Sequence, residues 1–318
     1  MYTMTDASTA KAGPARLSFE QAFEKMGEEV ARALNEAPLP VRTYTRHLAE
    51  TKGKGIRALA LLTCAQDREG TLDPDAVRMA AAIEVLHLAT LVHDDVIDNA
   101  DVRRGRITLQ KKYGKRIAVI CGDYLLCVAL QLAVSTQSKG DYLDLDVPAY
   151  MNRVCMGELL QEINYRNVDL SLRAYLRIIS GKTAALFEAA FFAGAVFSRE
   201  EASTLGFYRR MGHAVGMIFQ LLDDCIDFES DAQTAKKPVQ SDYEKGVITL
   251  PLIYAFNERP DLRDQARRGR VSRKELNAAV RVSGGLAYTR TLAKRYYDKA
   301  VKQMAGMSIT PEKQEGLR

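Results

Sequence analysis

Ile83-Glu84-Val85-Leu86-His87-Leu88-Ala89-Thr90-Leu91-Val92-His93-Asp94-Asp95-Val96-Ile97-Asp98 is an apolar stretch with helical spacing that ends in three carboxylates. Residues four apart stack on one helix face, so Asp94 lies above Asp98, and positions 87, 90, 91, 94 and 98 form one stripe. Carboxylates clustered on an apolar helix are costly unless cations neutralise them. The pattern recurs 129 residues later as Asp223-Asp224-Cys225-Ile226-Asp227. Mg²⁺ takes oxygen ligands and usually binds through a few carboxylates plus substrate phosphates. Two such clusters therefore suggest a site that clamps a diphosphate between metal ions. The plainer alternative, a solvated helix end rich in aspartates, leaves both the echo and the following Arg103-Arg104-Gly105 unexplained.

Outward from these motifs the periodicity is helical almost everywhere. Apolar residues recur at three and four spacing over 19–34, 56–66, 74–98, 117–135, 147–164, 172–197 and 203–228. No run of alternating β-branched residues competes with them. Turn chemistry falls at Thr51-Lys52-Gly53-Lys54-Gly55, Arg103-Arg104-Gly105, Ser138-Lys139-Gly140-Asp141 and across 229–246. No Pro-rich linker or solenoid period divides the chain. The expected architecture is one all-α domain over 1–318, a single-domain helical bundle around a central cavity, with about 15 disordered residues at its N-terminus. The stretches around both acidic motifs are apolar nearly all round, which marks central helices.

The chain has 318 residues, 47% of them hydrophobic and 27% charged, and a formal net charge of +5. A packed core is expected, and no Lys/Arg block of the nucleic-acid-binding kind is present. Cys64, Cys121, Cys127, Cys155 and Cys225 form no CxxC or zinc spacing and sit in apolar helical contexts. They read as buried free thiols in a reducing cytoplasm. Residues 1–14 lack the apolar segment of a signal peptide, and no apolar run reaches transmembrane length.

The basic residues near glycines suit small anions better than a tracking groove. Arg103 and Arg104 suit bidentate phosphate contacts. Lys54 and Arg57 flank Gly55 just before a helix, whose N-terminus favours anions, although a basic turn can also be merely solvated. Gly181-Lys182-Thr183 is not a P-loop, because the upstream glycine and the strand are missing. Lys236-Lys237-Pro238 adds a cation after the second motif. Glu158 and Gln161 share a helix face, lining either a core network or a cavity. His87, below Asp94, is placed to meet a ligand; His93 supports the aspartates, and His213 is a packed or surface residue.

The ordered set His93-Asp94-Asp95-Val96-Ile97-Asp98, Arg103-Arg104-Gly105, Gly157-Glu158-Leu159-Leu160-Gln161, Lys182-Thr183 and Phe219-Gln220-Leu221-Leu222-Asp223-Asp224-Cys225-Ile226-Asp227 resembles the trans-isoprenyl diphosphate synthases. The resemblance runs in order from about Gly53 to about Leu252, and more weakly through Ser283-Gly284-Gly285. It implies an isoprenoid synthase bundle, usually a homodimer, that joins isopentenyl diphosphate to an allylic diphosphate (geranyl, farnesyl or geranylgeranyl) with Mg²⁺, expected as three ions. By resemblance, Asp94, Asp98 and Asp223 bind the metals, supported by Asp95, Asp224 and Asp227 through metal-bound water. Arg103, Lys182 and Lys237 hold the allylic diphosphate; Lys54, Arg57, His87 and Arg104 hold isopentenyl diphosphate. Thr183 and Gln220, with Lys182 beside them, face the developing allylic cation. Transient membrane-surface contact is expected for product release. Three departures stand out: Val247 where a lysine often follows the glycine, Gly55 in place of a common basic residue, and an end at Arg318 that falls short of the family's last helix.

The resemblance also implies that the pocket floor below the first motif sets product length. Ala89 and Thr90 are small there, and no Phe or Tyr lies between Ile83 and His93. The product is therefore expected to exceed farnesyl diphosphate, with a floor at Leu126 or Leu130, and Ala89→Phe is expected to shorten it. Three rivals remain. A class I terpene cyclase shares the fold but usually lacks two intact acidic motifs and the Lys54/Arg57/His87 set. A non-catalytic subunit of a heteromeric synthase typically loses aspartates. A di-iron bundle needs Glu and Glu-x-x-His ligands.

Overall fold

The computed structural model describes residues 15–50, 53–136, 147–229, 241–307 and 309–317. The expected N-terminal disorder, the turn at 138–141, most of 229–246 and the whole of Lys236-Lys237-Pro238 lie outside these residues. The helices are α1 (Phe19–Asn35), α2 (Leu39–Ala49), α3 (Ile56–Ala65), α4 (Pro74–Ile97), α5 (Leu109–Tyr113), α6 (Lys115–Val134), α7 (Val147–Ile163), α8 (Leu172–Ile179), α9 (Ala185–Phe197) and α10 (Ala202–Glu229). Six more come after them: α11 (Ser241–Glu244), α12 (Leu250–Glu258), α13 (Pro260–Arg267), α14 (Arg273–Ser283), α15 (Gly285–Met304) and α16 (Pro311–Leu317). The fold is all-α, as expected.

Local chemistry sets the boundaries. Ser18 and Gln21 form a capping box at α1, and Ser272 and Glu275 another at α14. Asp73 caps α4, with Pro74 at the first helical position. The α4 helix, which carries the first acidic motif, is buried on nearly every side against α6, α3 and α1. The second-motif helix α10 packs on α9 and α15.

Two local features shape the site. The expected continuous helix over 172–197 is interrupted between α8 and α9 by a π-helical turn, Ser180–Ala184, which carries Lys182 and Thr183. Single π turns often mark functional positions. Neighbouring helices approach this turn through glycines. A Cβ on Gly157 of α7 would lie 2.1 Å from the Lys182 backbone nitrogen, and one on Gly216 of α10 would lie 2.4 Å from the Ala184 Cα. The second feature is a hairpin of two-residue strands, β1 (Val102–Arg103) and β2 (Arg106–Ile107). Its turn residues Arg104 and Gly105 both have positive φ, 52° and 77°, as tight hairpins favour. For arginine that conformation is uncommon, and it fixes how Arg104 leaves the backbone.

Two expectations are corrected. Cys64, Cys121 and Cys225 are buried, but Cys127 and Cys155 are exposed; they occupy the outer faces of α6 and α7, where apolar residues continue onto the surface. Three helical stretches, Pro74–Ile97, Lys115–Val134 and Leu172–Phe197, are long and apolar enough to cross a membrane by length and composition. Scattered polar residues interrupt each of these stretches, so none is an unbroken apolar run. The first and third are mostly buried in the bundle, whereas Lys115–Val134 is only one-third buried.

Candidate active site

The first acidic motif closes α4, where the Asp98 backbone N–H donates to the Asp94 carbonyl and keeps the two carboxylates in helical register. Asp95 points inward and accepts from Arg103 Nε at 2.6 Å. Asp98 meets Lys245 Nζ at 3.1 Å across 147 residues of chain. Lys182 Nζ donates to Glu158 Oε2 at 2.7 Å, and its charge also acts on Asp94. Cations thus gather around the motif, as burial of carboxylates requires. They do not wholly offset it. Burial pushes Asp94 and Asp95 up from the usual carboxylate range against the pull of Lys182 and Arg103, and pushes Glu158, which also feels Asp94, up to about 7.

The second motif lies on α10. Asp224 is fully inward and accepts from Tyr175 OH at 2.5 Å and Gln220 Nε2 at 2.7 Å. Burial still raises it to about 7. The Thr183 hydroxyl donates to Gln220 Oε1 at 2.7 Å. Thr183, Gln220, Asp224 and Tyr175 therefore form one hydrogen-bonded chain that fixes which end of the carboxamide faces which neighbour. Asp223 is exposed. Asp242 joins this group: burial, then Asp227, Asp224 and Asp223, raise it to about 8, while Lys245 pulls the other way. Lys245 thus stands between the two acidic motifs, paired with Asp98 and acting on Asp242.

Beside the carboxylates lies a basic pocket. Arg57, at the start of α3, has its guanidinium carbon 4.7 Å from the Phe187 ring centroid and 6.0 Å from that of Phe219. Its Nε is buried and finds no hydrogen-bond partner among the described residues. Burial lowers it to about 10, partly offset by Glu84 and reinforced by Arg104. Burial also pushes His87 well below its ordinary value, reinforced by Arg57, Arg104 and Arg103. A neutral imidazole among three guanidiniums, one of them with an unmatched buried donor, is arranged for an anion. Arg104 reaches back to the turn before α3, since a Cβ on Gly53 would lie 2.8 Å from its Nη1. Lys54 is exposed on that turn.

Sequence reading thus located Asp94, Asp95, Asp98, Asp224, Arg57, His87, Arg103, Arg104, Lys182, Thr183 and Gln220 in one connected region. Lys237 lies outside the described residues. His93 faces α6, with Nε2 3.2 Å from the Val119 carbonyl and 3.3 Å from Asp123 Oδ1. His213 is part-buried, 3.8 Å from Glu188. Lys245, Asp242, Tyr175 and Glu84 were missed. The departure at Val247 was a signal for Lys245, which sits two positions earlier.

Among the described residues, no three His, Cys, Asp or Glu side chains converge closely enough to hold a metal ion by themselves. The all-oxygen donors nevertheless fit Mg²⁺, which dehydrates reluctantly and completes its shell with water and substrate phosphates.

Below the first motif, an apolar cavity is lined from α4 by Met79, Ala82, Ile83 and Leu86, and from the facing helices by Leu130 and Tyr150 among others. Leu130, one of the two floor residues suggested by sequence, is in that lining. Ala89 is fully buried in the core and is absent from it.

An all-α bundle that faces two aspartate motifs with lysines and sets a buried arginine pocket beside them defines a class, the prenyltransferases of isoprenoid biosynthesis. The profile of the polyprenyl synthetase family matches residues 40–282, and the chain belongs to that family. It is 34% identical over 287 residues to heptaprenyl diphosphate synthase component 2 of Geobacillus stearothermophilus, covering 89% of this chain and 88% of that one. It is also 34% identical over 272 residues to octaprenyl diphosphate synthase of Escherichia coli, covering 81% of each. The crystal structure of heptaprenyl diphosphate synthase from Staphylococcus aureus superposes with a TM-score of 0.85 at 28% identity, covering 95% of this chain and 96% of that one. A polyprenyl synthase from Caulobacter crescentus, crystallised with calcium and isoprenyl diphosphate, gives a TM-score of 0.84 at 29% identity, covering 94% and 92%.

Proposed function

We propose that this chain condenses isopentenyl diphosphate head-to-tail with an allylic diphosphate, giving an all-trans polyprenyl diphosphate longer than farnesyl. The observation that carries the reading is the adjacency of the carboxylate cluster at Asp94, Asp98 and Asp224 to the cationic pocket of Arg57, His87, Arg103 and Arg104. Hepta- and octaprenyl names among the relatives support the long product. Asp94, Asp98 and Asp223 would hold Mg²⁺, expected as three ions, with Asp95, Asp224 and Asp227 behind them. The metal supplies charge to stabilise the departing diphosphate.

The chain's own residues account for the rest. Lys182 and Arg103 are placed to take phosphate oxygens, and Lys237 is assigned the same role by resemblance. Lys54, Arg57, His87 and Arg104 would orient the second diphosphate. A developing allylic cation needs negative dipole ends that do not attack it. The Thr183 hydroxyl suits this, because its proton is given to Gln220 and its lone pairs are left available. The Gln220 amide is held by Asp224, and Asp224 by Tyr175. The homoallylic double bond then attacks, and a proton leaves to the released diphosphate.

Purified chain, Mg²⁺, labelled isopentenyl diphosphate and a series of allylic primers test this. Prenyl diphosphates beyond farnesyl are expected, and none after EDTA. Hydrocarbon released from farnesyl diphosphate alone would identify a cyclase, and turnover only with a second protein would identify a component of an assembly.

We also infer a homodimer, in the cytoplasm and in transient contact with a membrane surface when product leaves. Ile120, Cys127 and Val134 repeat at seven-residue spacing on the outer face of α6, while Cys155, Met156, Leu159 and Ile163 line α7; all are exposed. An apolar surface of this kind supports a covering partner. Ile120→Asp is expected to convert dimer to monomer in light scattering; an unchanged mass would place the interface elsewhere.

A further inference from the structure

Asp98, at the end of the first acidic motif, is not waiting empty for a metal. The Lys245 ammonium lies 3.1 Å from its Oδ2, with both side chains about one-third exposed or less. The backbone that delivers Lys245 is pinned on each side. Gly246 N–H donates to the Tyr243 carbonyl at 2.9 Å, Val247 N–H to the Asp242 carbonyl at 2.8 Å, and Arg166 N–H to the Gly246 carbonyl at 2.7 Å. Gly246 has φ +79°, and a Cβ there would lie 2.3 Å from the Tyr165 ring. The turn is thus held in place, and the mobile part is the four-carbon stem of Lys245.

A lysine ammonium and a divalent cation cannot both occupy the same carboxylate edge without strong like-charge repulsion. We propose that Lys245 is the resident counter-ion of Asp98: a divalent cation must displace it to bind, and the released ammonium then turns to the diphosphate that the metal brings. This rests on the diphosphate chemistry proposed above. It gives one side chain two opposite effects. Lys245 competes with metal when substrate is absent, and it strengthens diphosphate binding once metal is present. Its length makes this possible: a rigid stem could serve the first role only. The arrangement also explains how this chain works with Val247 where the resemblance implies a lysine. The cation arrives from two residues earlier, and it reaches the first acidic motif from the segment that comes after the second.

Lys245→Met keeps the stem and removes the charge. Mn²⁺ binding is measured by electron paramagnetic resonance on the substrate-free protein, and inorganic pyrophosphate binding by calorimetry at saturating Mg²⁺. The variant is expected to bind Mn²⁺ about fivefold more tightly and pyrophosphate about fivefold more weakly, the size expected for a partly exposed ion pair. Lys245→Arg retains the charge and is expected to stay near wild type in both. Unchanged or weaker Mn²⁺ binding in Lys245→Met overturns the proposal, as does tighter Mn²⁺ binding with pyrophosphate binding intact. If the wild-type chain shows no prenyl transfer, the functional reading fails, yet the Mn²⁺ comparison still reports on Lys245 by itself.

Discussion

Arg57→Leu is expected to raise the melting temperature and, in the same protein, to raise the KM for isopentenyl diphosphate about 10- to 100-fold. Both effects come from one side chain. The Arg57 guanidinium is buried between aromatic rings, its Nε lacks a hydrogen-bond partner among the described residues, and burial lowers it to about 10. A buried donor without an acceptor costs about 1–3 kcal/mol. No carboxylate pairs with Arg57 at salt-bridge distance among the described residues, so an apolar residue there relieves the cost of burying an isolated charge. Glu84 loses an attractive neighbour but keeps its hydrogen bond from the Ala58 N–H at 3.0 Å. Loss of the cation–π contact takes back about 0.5–1 kcal/mol, so a rise of about 2–4 °C is expected for a protein of this size. The functional loss reflects a hydrogen bond to a charged group, about 1.5–3 kcal/mol. Thermal scanning and steady-state kinetics read the two separately. A lower melting temperature with KM unchanged would mean that Arg57 is a packing residue.

Ala82→Phe is expected to shorten the product. Ala82 lies in the apolar cavity, and Asp94 is twelve residues further along the same helix. At about 1.5 Å per residue that is about 18 Å along the helix, deep enough to leave the first condensations untouched. A phenyl ring entering from α4 toward Leu130 and Tyr150 fills space that a growing tail would occupy. Chromatography of dephosphorylated products is expected to show a shift to shorter chains, with the rate of the first addition near wild type. The same product length in the variant would place the growing tail elsewhere. Ala89→Phe, the substitution that sequence alone suggests, is a poorer probe, because Ala89 is packed in the core and a ring there must first displace its neighbours.

The elements legible in sequence were those whose periodicity is strong. Boundaries for α1, α3, α4, α6, α7 and α10 fell within about two residues, because each pairs an apolar face with a recognisable start or stop. The helices after Leu250 were not individually delineated. Most of them are short, some are highly charged, as in Pro260–Arg267, and Leu250–Glu258 and Gly285–Met304 dock on α10 and on each other. The π turn was illegible for a different reason: inserting one residue into a helix leaves composition unchanged. At the site, aspartates and basic residues next to glycines announced themselves. Lys245, Asp242 and Tyr175 did not, because each acquires its meaning only from a partner far away in the chain.

The π turn at Ser180–Ala184 has a consequence for how this region can be altered. It accommodates one more residue than a regular helical turn would, and glycines on two neighbouring helices are fitted against it. Side chains here can be exchanged one at a time with graded loss. Removing a single residue from the turn would rewind it to ordinary pitch and leave α8 and α9 on their present faces, so Tyr175 would stay beside Asp224. What would go is the wide turn itself, against which Gly157 and Gly216 are fitted and on which Lys182 and Thr183 ride. A one-residue deletion here should therefore spare the bundle and cost the chemistry, like lifting a jewel from its setting without bending the ring.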